Sequence, residues 1–293
     1  MAYNAYSGSV YAMLPEIKAQ LEAADPTHAR FEFQDVGTDI NKICFKYKPE
    51  NKFIMIFATY NSYSSAYYYN LQIQIGSAYD SATKTISGNL EKYGGLVNST
   101  SVNTQEALYF ANRTYSHQLF IDRDGIFWNF YNTITGENNN GWMLQIEFLP
   151  IAKKEYDDAS SGIFVNFFSY PTAHSVNLGY YNAGQYFVCK DTYKLIDESK
   201  MLYAFKSLGN NKIYFEFPRI HNNPGTWSNP IYQSKRWFLV SKTGLAVNDV
   251  ISWLDSDNVT VHKFIVCEVG GAKSGTIPSY YIAIPYDNPV MYS

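Results

Sequence analysis

"FIDRDGIFWNFYNTI", Phe120 to Ile134, decides how this chain folds. Two aspartates, Asp122 and Asp124, stand one residue apart and run into Gly125, then Ile126, Phe127 and Trp128. A calcium loop of the EF-hand kind needs acids at its first, third and fifth positions and a glutamate at the twelfth. Asp122 and Asp124 supply the first two, but the three large apolar side chains that follow cannot wrap a cation with oxygens. A sialidase-type Asp-box needs Asp-x-Gly, and Arg123 stands where its aspartate belongs. What remains is a hairpin, with "HQLFID" going up, "RDG" turning and "IFWNFYNTI" returning; Asp-Gly is a strong hairpin-turn signal. The stretch predicts paired strands, and its two acids are expected to be dispensable for catalysis.

Working outward, the same period-two pattern recurs. "RFEFQDV", "KICFKYK" and "KFIMIFATY" read as successive strands, the last two joined by the turn "PEN". In "YYYNLQIQIG", Leu71, Ile73 and Ile75 share one face and Asn70, Gln72 and Gln74 the other, so this sheet has one apolar and one wet side. "KTISGNLEKYGGLVNSTSV" is broken by glycines and reads as a loop with one helical turn. Beyond it, strands are predicted at 116–122, 125–134, 141–151, 162–169, 185–190, 201–207, 212–217, 234–241, 262–269 and 278–284. Turn signals such as "TGENNNG", "LGNNK" and "NNPGTWSNP" separate them.

Helices are few. Val10, Met13, Leu14, Ile17 and Leu21 form one stripe at helical spacing, with Pro15 in the first turn, where its missing N–H costs nothing. "NTQEALYFANR" carries Asn103 and Glu106 at capping-box spacing, and Val250, Ile251 and Leu254 predict a short helix over Asn248 to Leu254. The expected fold is mainly β with a few short helices (α+β). Its sheets are antiparallel and sandwich- or barrel-like, behind an N-terminal helix. No period of 20 to 50 residues repeats. A composition shift near residue 115 suggests an α+β part, 1–115, and a mainly antiparallel β part, 116–293; one single domain is the alternative.

Only 17% of the 293 residues are charged and the net charge is -3, so the clustered positive charge of a direct nucleic-acid binder is missing. No stretch approaches the roughly 18 apolar residues of a membrane helix. The start "MAYNAYSGSVYAML" lacks the basic region and long apolar core of a signal peptide. Cys44, Cys189 and Cys267 lie far apart in apolar, strand-like settings without C-x-x-C spacing. They predict three buried, unpaired thiols in a reducing cytoplasm.

Catalytic patterns fare poorly. Glu32, Glu147 and Glu216 each sit between apolar neighbours on predicted strands, so alternation turns each glutamate outward. A glycosidase would need two such carboxylates facing one another across a sugar. "VGGAKSGT" (Val269 to Thr276) puts Ala272 rather than glycine before Lys273 and runs into strand-like sequence, which is not a phosphate loop. His28, His117, His174, His221 and His262 are scattered singly and nominate no triad. No catalytic residue, metal site or cofactor is assigned.

The strongest functional signal is tyrosine, 27 residues of it. "TYNSYSSAYYYN" (Thr59 to Asn70) places Tyr60, Tyr63, Tyr67, Tyr68 and Tyr69 within ten residues. "NLGYYNAGQY" adds Tyr180 and Tyr181, and "NNPGTWSNPIY" adds Trp227. Tyrosine supplies stiff contact area with a polar tip, and Ser and Asn supply adaptable hydrogen bonds, as on recognition surfaces. These eight residues are the candidate contacts, with a second protein chain or with a sugar.

The Ala/Tyr/Ser-rich start "MAYNAYSGS", the Tyr/Asn-rich β-meander and the aromatic end "SYYIAIPYDNPVMYS" together give the whole chain a recognisable layout. It resembles structural proteins of tailed bacteriophages, in particular those of tails, necks and baseplates. The resemblance implies a non-enzymatic, homo-oligomeric subunit, made in the host cytoplasm and carried in the virion beside other virion proteins. The runner-up is a carbohydrate-binding β-sandwich or host-recognition module, and behind it a glycan-cleaving enzyme.

Overall fold

In a computed structural model, the described residues are 4–39, 41–63, 66–88, 91–93, 109–111, 114–131, 141–149, 162–169, 182–189, 192–196, 201–202, 219–221, 230–233, 238–241, 244–254, 259, 261–267 and 280–286. The chain enters as strand β1 (Asn4–Gly8) and helix α1 (Met13–Ala24). All five residues of the predicted stripe are buried, and Pro15 sits in the first helical turn. Asp25 ends the helix. Its carboxylate accepts the N–H groups of Ala29 (3.1 Å), Arg30 (2.8 Å) and Phe31 (2.9 Å), which steers the chain from helix into strand.

A first sheet follows, built from β2 (Phe31–Phe33), β3 (Lys42–Tyr47), β4 (Lys52–Tyr63) and β5 (Ala66–Gly76). The predicted turn "PEN" is a 3-10 turn over Lys48–Glu50 closed by Asn51 in the left-handed region, at φ 52°. A side hairpin, β6 (Ala78–Asp80) and β7 (Thr85–Ser87), precedes β8 (Glu91–Tyr93) and β9 (Tyr109–Ala111). The sheet runs β2-β3-β4-β5-β8, with β9 also on β5.

Strands appear inside two segments for which some helix was expected, and much of the rest of both lies outside the described residues. Thr85–Ser87 and Glu91–Tyr93, expected within a loop with a helical turn, are short strands. Tyr109–Ala111, expected inside a capped helix, is a strand on β5, where cross-strand pairing outweighs local propensity. Asn103 and Glu106 lie outside the described residues.

The second sheet is a meander of seven strands. It consists of β10 (Tyr115–Asp122), β11 (Gly125–Tyr131), β12 (Gly141–Leu149), β13 (Gly162–Ser169), β14 (Asn182–Cys189) and β15 (Thr192–Ile196), with β1 on the outer edge of β10. Among the described residues both central sheets have distinct edge strands, so neither is a closed barrel. Their facing sides and α1 make one core. It is built from Ile54, Ile56, Leu71 and Ile73 of the first sheet and Leu119, Ile121, Trp128, Leu144, Ile146 and Phe148 of the second. Residues on both sides of position 115 contribute to it. Phe148 inserts among Phe31 (4.8 Å between ring centres), Tyr47 (5.1 Å) and Phe45 (5.9 Å), so one aromatic cluster joins the two sheets.

The remaining strands form two smaller sheets. β16 (Met201–Leu202), β17 (Arg219–His221) and β18 (Pro230–Gln233) make one. β19 (Phe238–Ser241), β20 (Val250–Leu254), β21 (Val261–Cys267) and β22 (Tyr280–Pro285) make the other, in order β19-β22-β21-β20. The helix expected over Asn248 to Leu254 is therefore corrected. Val250 to Leu254 pair antiparallel with Ile265 to Val261, and Val250 stays 47% exposed. Apolar residues at i, i+1 and i+4 fit a short strand as well as a helical turn, and β-branched Val and Ile favour the strand. Residues 212–217 lie outside the described ones, and the strands expected at 201–207 and 234–241 are described only at Met201–Leu202 and Phe238–Ser241.

Candidate functional site

The stretch "DRDG" is a turn. β10 and β11 pair from Ser116–Tyr131 to Asp122–Gly125, so Arg123 and Asp124 are the two loop residues and Gly125 already belongs to the return strand. The frame is one residue earlier than Asp-Gly would set. Asp122 explains it: its Oδ1 accepts the backbone N–H of Asp124 at 2.8 Å and closes an Asx-type turn. Asp124 has a larger role. Its carboxylate accepts a charge-assisted hydrogen bond from the Arg30 guanidinium, and its carbonyl accepts the N–H of Phe148 at 2.8 Å. Arg30 also reaches the Tyr47 hydroxyl at 3.4 Å. One arginine at the start of the first sheet thus ties down the hairpin of the second. Burial is the largest influence on Tyr47 and pushes its phenol up to about 12, though Arg30 pulls the other way.

Among the described residues, no group of three or more His, Cys, Asp or Glu side chains is placed to hold a metal ion. The two acids of the turn serve architecture.

Of the strand glutamates, Glu32 is exposed on β2, as alternation predicts. Glu147 is the correction: it is 1% exposed. It lies on the face of the second sheet turned away from the core, beside Gln118, Asp122, Asn129 and Gln145, all buried. Gln145 donates to Glu147, Asn129 donates to Gln118 at 2.8 Å, and Gln118 donates to Asn248 at 3.2 Å. Asn248 precedes β20, and Pro285 of β22 lines a small gap with Phe120, Phe127, Gln145 and Glu147. The last sheet therefore covers a polar face, which is why Glu147 is buried although alternation placed it on the correct side of its strand. Glu32 and Glu147 stand on opposite outer sides of the two-sheet core and cannot flank one sugar. Glu216 lies outside the described residues.

His117 emerges only from the structure. It is buried on β10, its Nδ1 accepts the indole N–H of Trp128 at 3.1 Å, and its Nε2 lies 2.9 Å from the carbonyl of Gly8 on β1. An indole N–H can only donate, so Nδ1 is bare and the proton sits on Nε2. Desolvation lowers its pKa to about 4, partly opposed by the Gly8 carbonyl. One signal in the sequence points to the pair. His117 and Trp128 lie two positions apart in register across the hairpin whose turn could be read.

The tyrosine segment forms the outer half of the β4–β5 hairpin. Pairing runs without a break from Phe53–Gly76 to Tyr63–Ala66. Ile54–Ile75, Ile56–Ile73 and Ala58–Leu71 are buried rows of the core face. Tyr60–Tyr69 and Ser62–Tyr67 continue the same register parity, whereas Asn61–Tyr68 and Tyr63–Ala66 have the other. β9 adds Phe110 opposite Tyr69 and Ala111 opposite Tyr68. The structure thus brings Tyr60, Tyr63, Tyr67, Tyr68 and Tyr69 onto one ladder. Tyr180, Tyr181 and Trp227 lie outside the described residues.

No helix among the described residues is long and apolar enough to cross a membrane. In comparison with known proteins, no family model matches this sequence and no curated protein matches it.

Proposed function

We propose that this chain is a non-enzymatic structural subunit of a tailed-phage particle, in a tail, neck or baseplate, and that the tyrosine-rich end of the β4–β5 hairpin joins it to its neighbours. The observation that carries the proposal is the reach of that hairpin. Its ladder continues without a break from the buried row Ala58–Leu71 through rows that hold five tyrosines in ten residues. Apolar surface left in water costs about 25 cal/mol per Å². Tyrosine is enriched at interfaces between chains, and ordered assembly is one way to cover the edges of open sheets. The partners are further copies of this chain and other virion proteins, met in the host cytoplasm and retained in the virion.

The test is the triple variant Tyr63→Ser, Tyr67→Ser, Tyr69→Ser. The parent should sediment as a ring or polymer and the variant as a folded monomer. A variant that assembles like the parent overturns the proposal. So does a monomeric parent that binds glycans, which points to a sugar-binding module, or one that cleaves them.

A further inference from the structure

We propose that the contact between Gly8, His117 and Trp128 is an acid-sensitive latch: adding a proton to His117 releases strand β1 from the edge of the second sheet. The inference is independent of the assembly reading. Its basis is a conflict of donors. Imidazolium carries N–H at both nitrogens. Nε2–H keeps its acceptor, the Gly8 carbonyl at 2.9 Å, but Nδ1–H then points at the Trp128 N–H only 3.1 Å away. Two donors face each other in a site walled by Trp128, Phe130 and Tyr115, with ring centres 6.0, 5.7 and 6.4 Å from the imidazole. The ring faces attract a cation, but they give Nδ1–H no acceptor.

The charged ring must therefore reach water, and β1 is the element whose departure costs least. Among the described strands it is an edge with β10 as its one neighbour, and its sequence is Asn-Ala-Tyr-Ser-Gly. Ala5 and Ser7 are exposed, and Tyr6 is half-buried. β11, on the other side of β10, carries Trp128 and Phe130 in the core and cannot leave without general unfolding. Segments with few buried apolar contacts open locally at low free-energy cost.

The other titratable groups near this face separate cleanly. Tyr6 on β1 stands opposite His117 in register, Tyr115 is on β10 itself, and Tyr11 packs against the same core. Phenols carry no charge in acid. Glu16 of α1 accepts the Tyr6 hydroxyl at 2.7 Å and the Gln20 amide at 2.9 Å, and these bonds hold its pKa below the usual 4.5. Glu16 therefore keeps its charge, and its hold on Tyr6, further into acid than an ordinary carboxyl would. Between pH 6.5 and 4.5 His117 is the group of this set that takes up a proton.

The sign follows from linkage. The open state binds a proton near the ordinary histidine value, 6.5, and the closed state only near 4. The opening constant should rise about tenfold per pH unit as pH falls from 6.5 toward 4. Hydrogen exchange followed by mass spectrometry, corrected for intrinsic amide rates, reads this directly. Protection across Asn4–Gly8 should fall about tenfold per unit between pH 6.5 and 4.5, while protection across Trp128 and Leu144 holds. His117→Gln should flatten the dependence. Should that variant not fold, an NMR titration of the parent's imidazole decides. A midpoint near 6.5 without change in β1 overturns the latch. So does protection of β1 that is flat with pH, or protection lost equally from β11 and β12.

Discussion

Replacing Asp124 by alanine should destabilise the protein although no chemistry depends on it. The Arg30 and Asp124 side chains are only 15% and 17% exposed, and their ion pair spans the two central sheets. Removing one partner of a fully buried pair costs about 3–5 kcal/mol, because the other charge is left without compensation. An exposed pair is worth about 0–1 kcal/mol. With the residual exposure on both sides here, the expected loss lies between these limits, about 2 kcal/mol.

The Tyr47 hydroxyl, 3.4 Å from Arg30, is too distant to replace the carboxylate. Asp124→Asn keeps an acceptor oxygen in place and should cost about half as much, roughly 1 kcal/mol. In a protein of 293 residues 2 kcal/mol lowers the melting temperature by only about 3 °C. The assay is urea unfolding of Asp124→Ala, Arg30→Met and the double variant, read as a cycle. A coupling of at least about 1 kcal/mol is expected between residues in direct contact. Strictly additive single effects, each under about 0.5 kcal/mol, would refute the claim that this pair fastens the hairpin to the first sheet.

Two further outcomes follow from the packing. Burial pushes the Cys44 thiol up to about 12 and the Cys267 thiol higher still, so neither should react with a thiol reagent in the folded protein. After unfolding without reductant, three free thiols should be titrated, Cys189 of β14 included; a disulfide would contradict this. Gly76→Ala should be poorly tolerated, since a Cβ there would meet Ile86 Cγ2 at 2.4 Å and the carbonyl of Ser87 at 2.6 Å. A loss of about 1–3 kcal/mol in urea unfolding is expected, and an unchanged midpoint would show that the β5 end and the β6–β7 hairpin are not in close contact.

Where each element's own side chains decide its form, the sequence could be read directly. The stripe from Val10 to Leu21 has one periodicity and one buried face, and α1 follows from it. Leu71, Ile73 and Ile75 alternate with glutamines, and β5 follows. The turn at Arg123–Asp124 was legible as a turn but not in its frame, which depends on a hydrogen bond from the Asp124 N–H to the Asp122 carboxylate rather than on glycine. Glu147 was not legible. Alternation tells which residues share a face, but not that a last sheet, carrying Pro285 and preceded by Asn248, covers the polar side. Arg30 is separated from Asp124 in sequence by every strand of the first sheet, and nothing local in "THARF" announces its partner. The tyrosine-rich segment was visible as composition. Its continuity with the core strands required the register.

The most direct measurement is the native mass of the parent chain by light scattering over a range of concentration. The account predicts a discrete ring or an extending polymer of a chain whose own mass is 33.5 kDa. A particle that remains at 33.5 kDa at every concentration contradicts self-assembly through the β4–β5 hairpin.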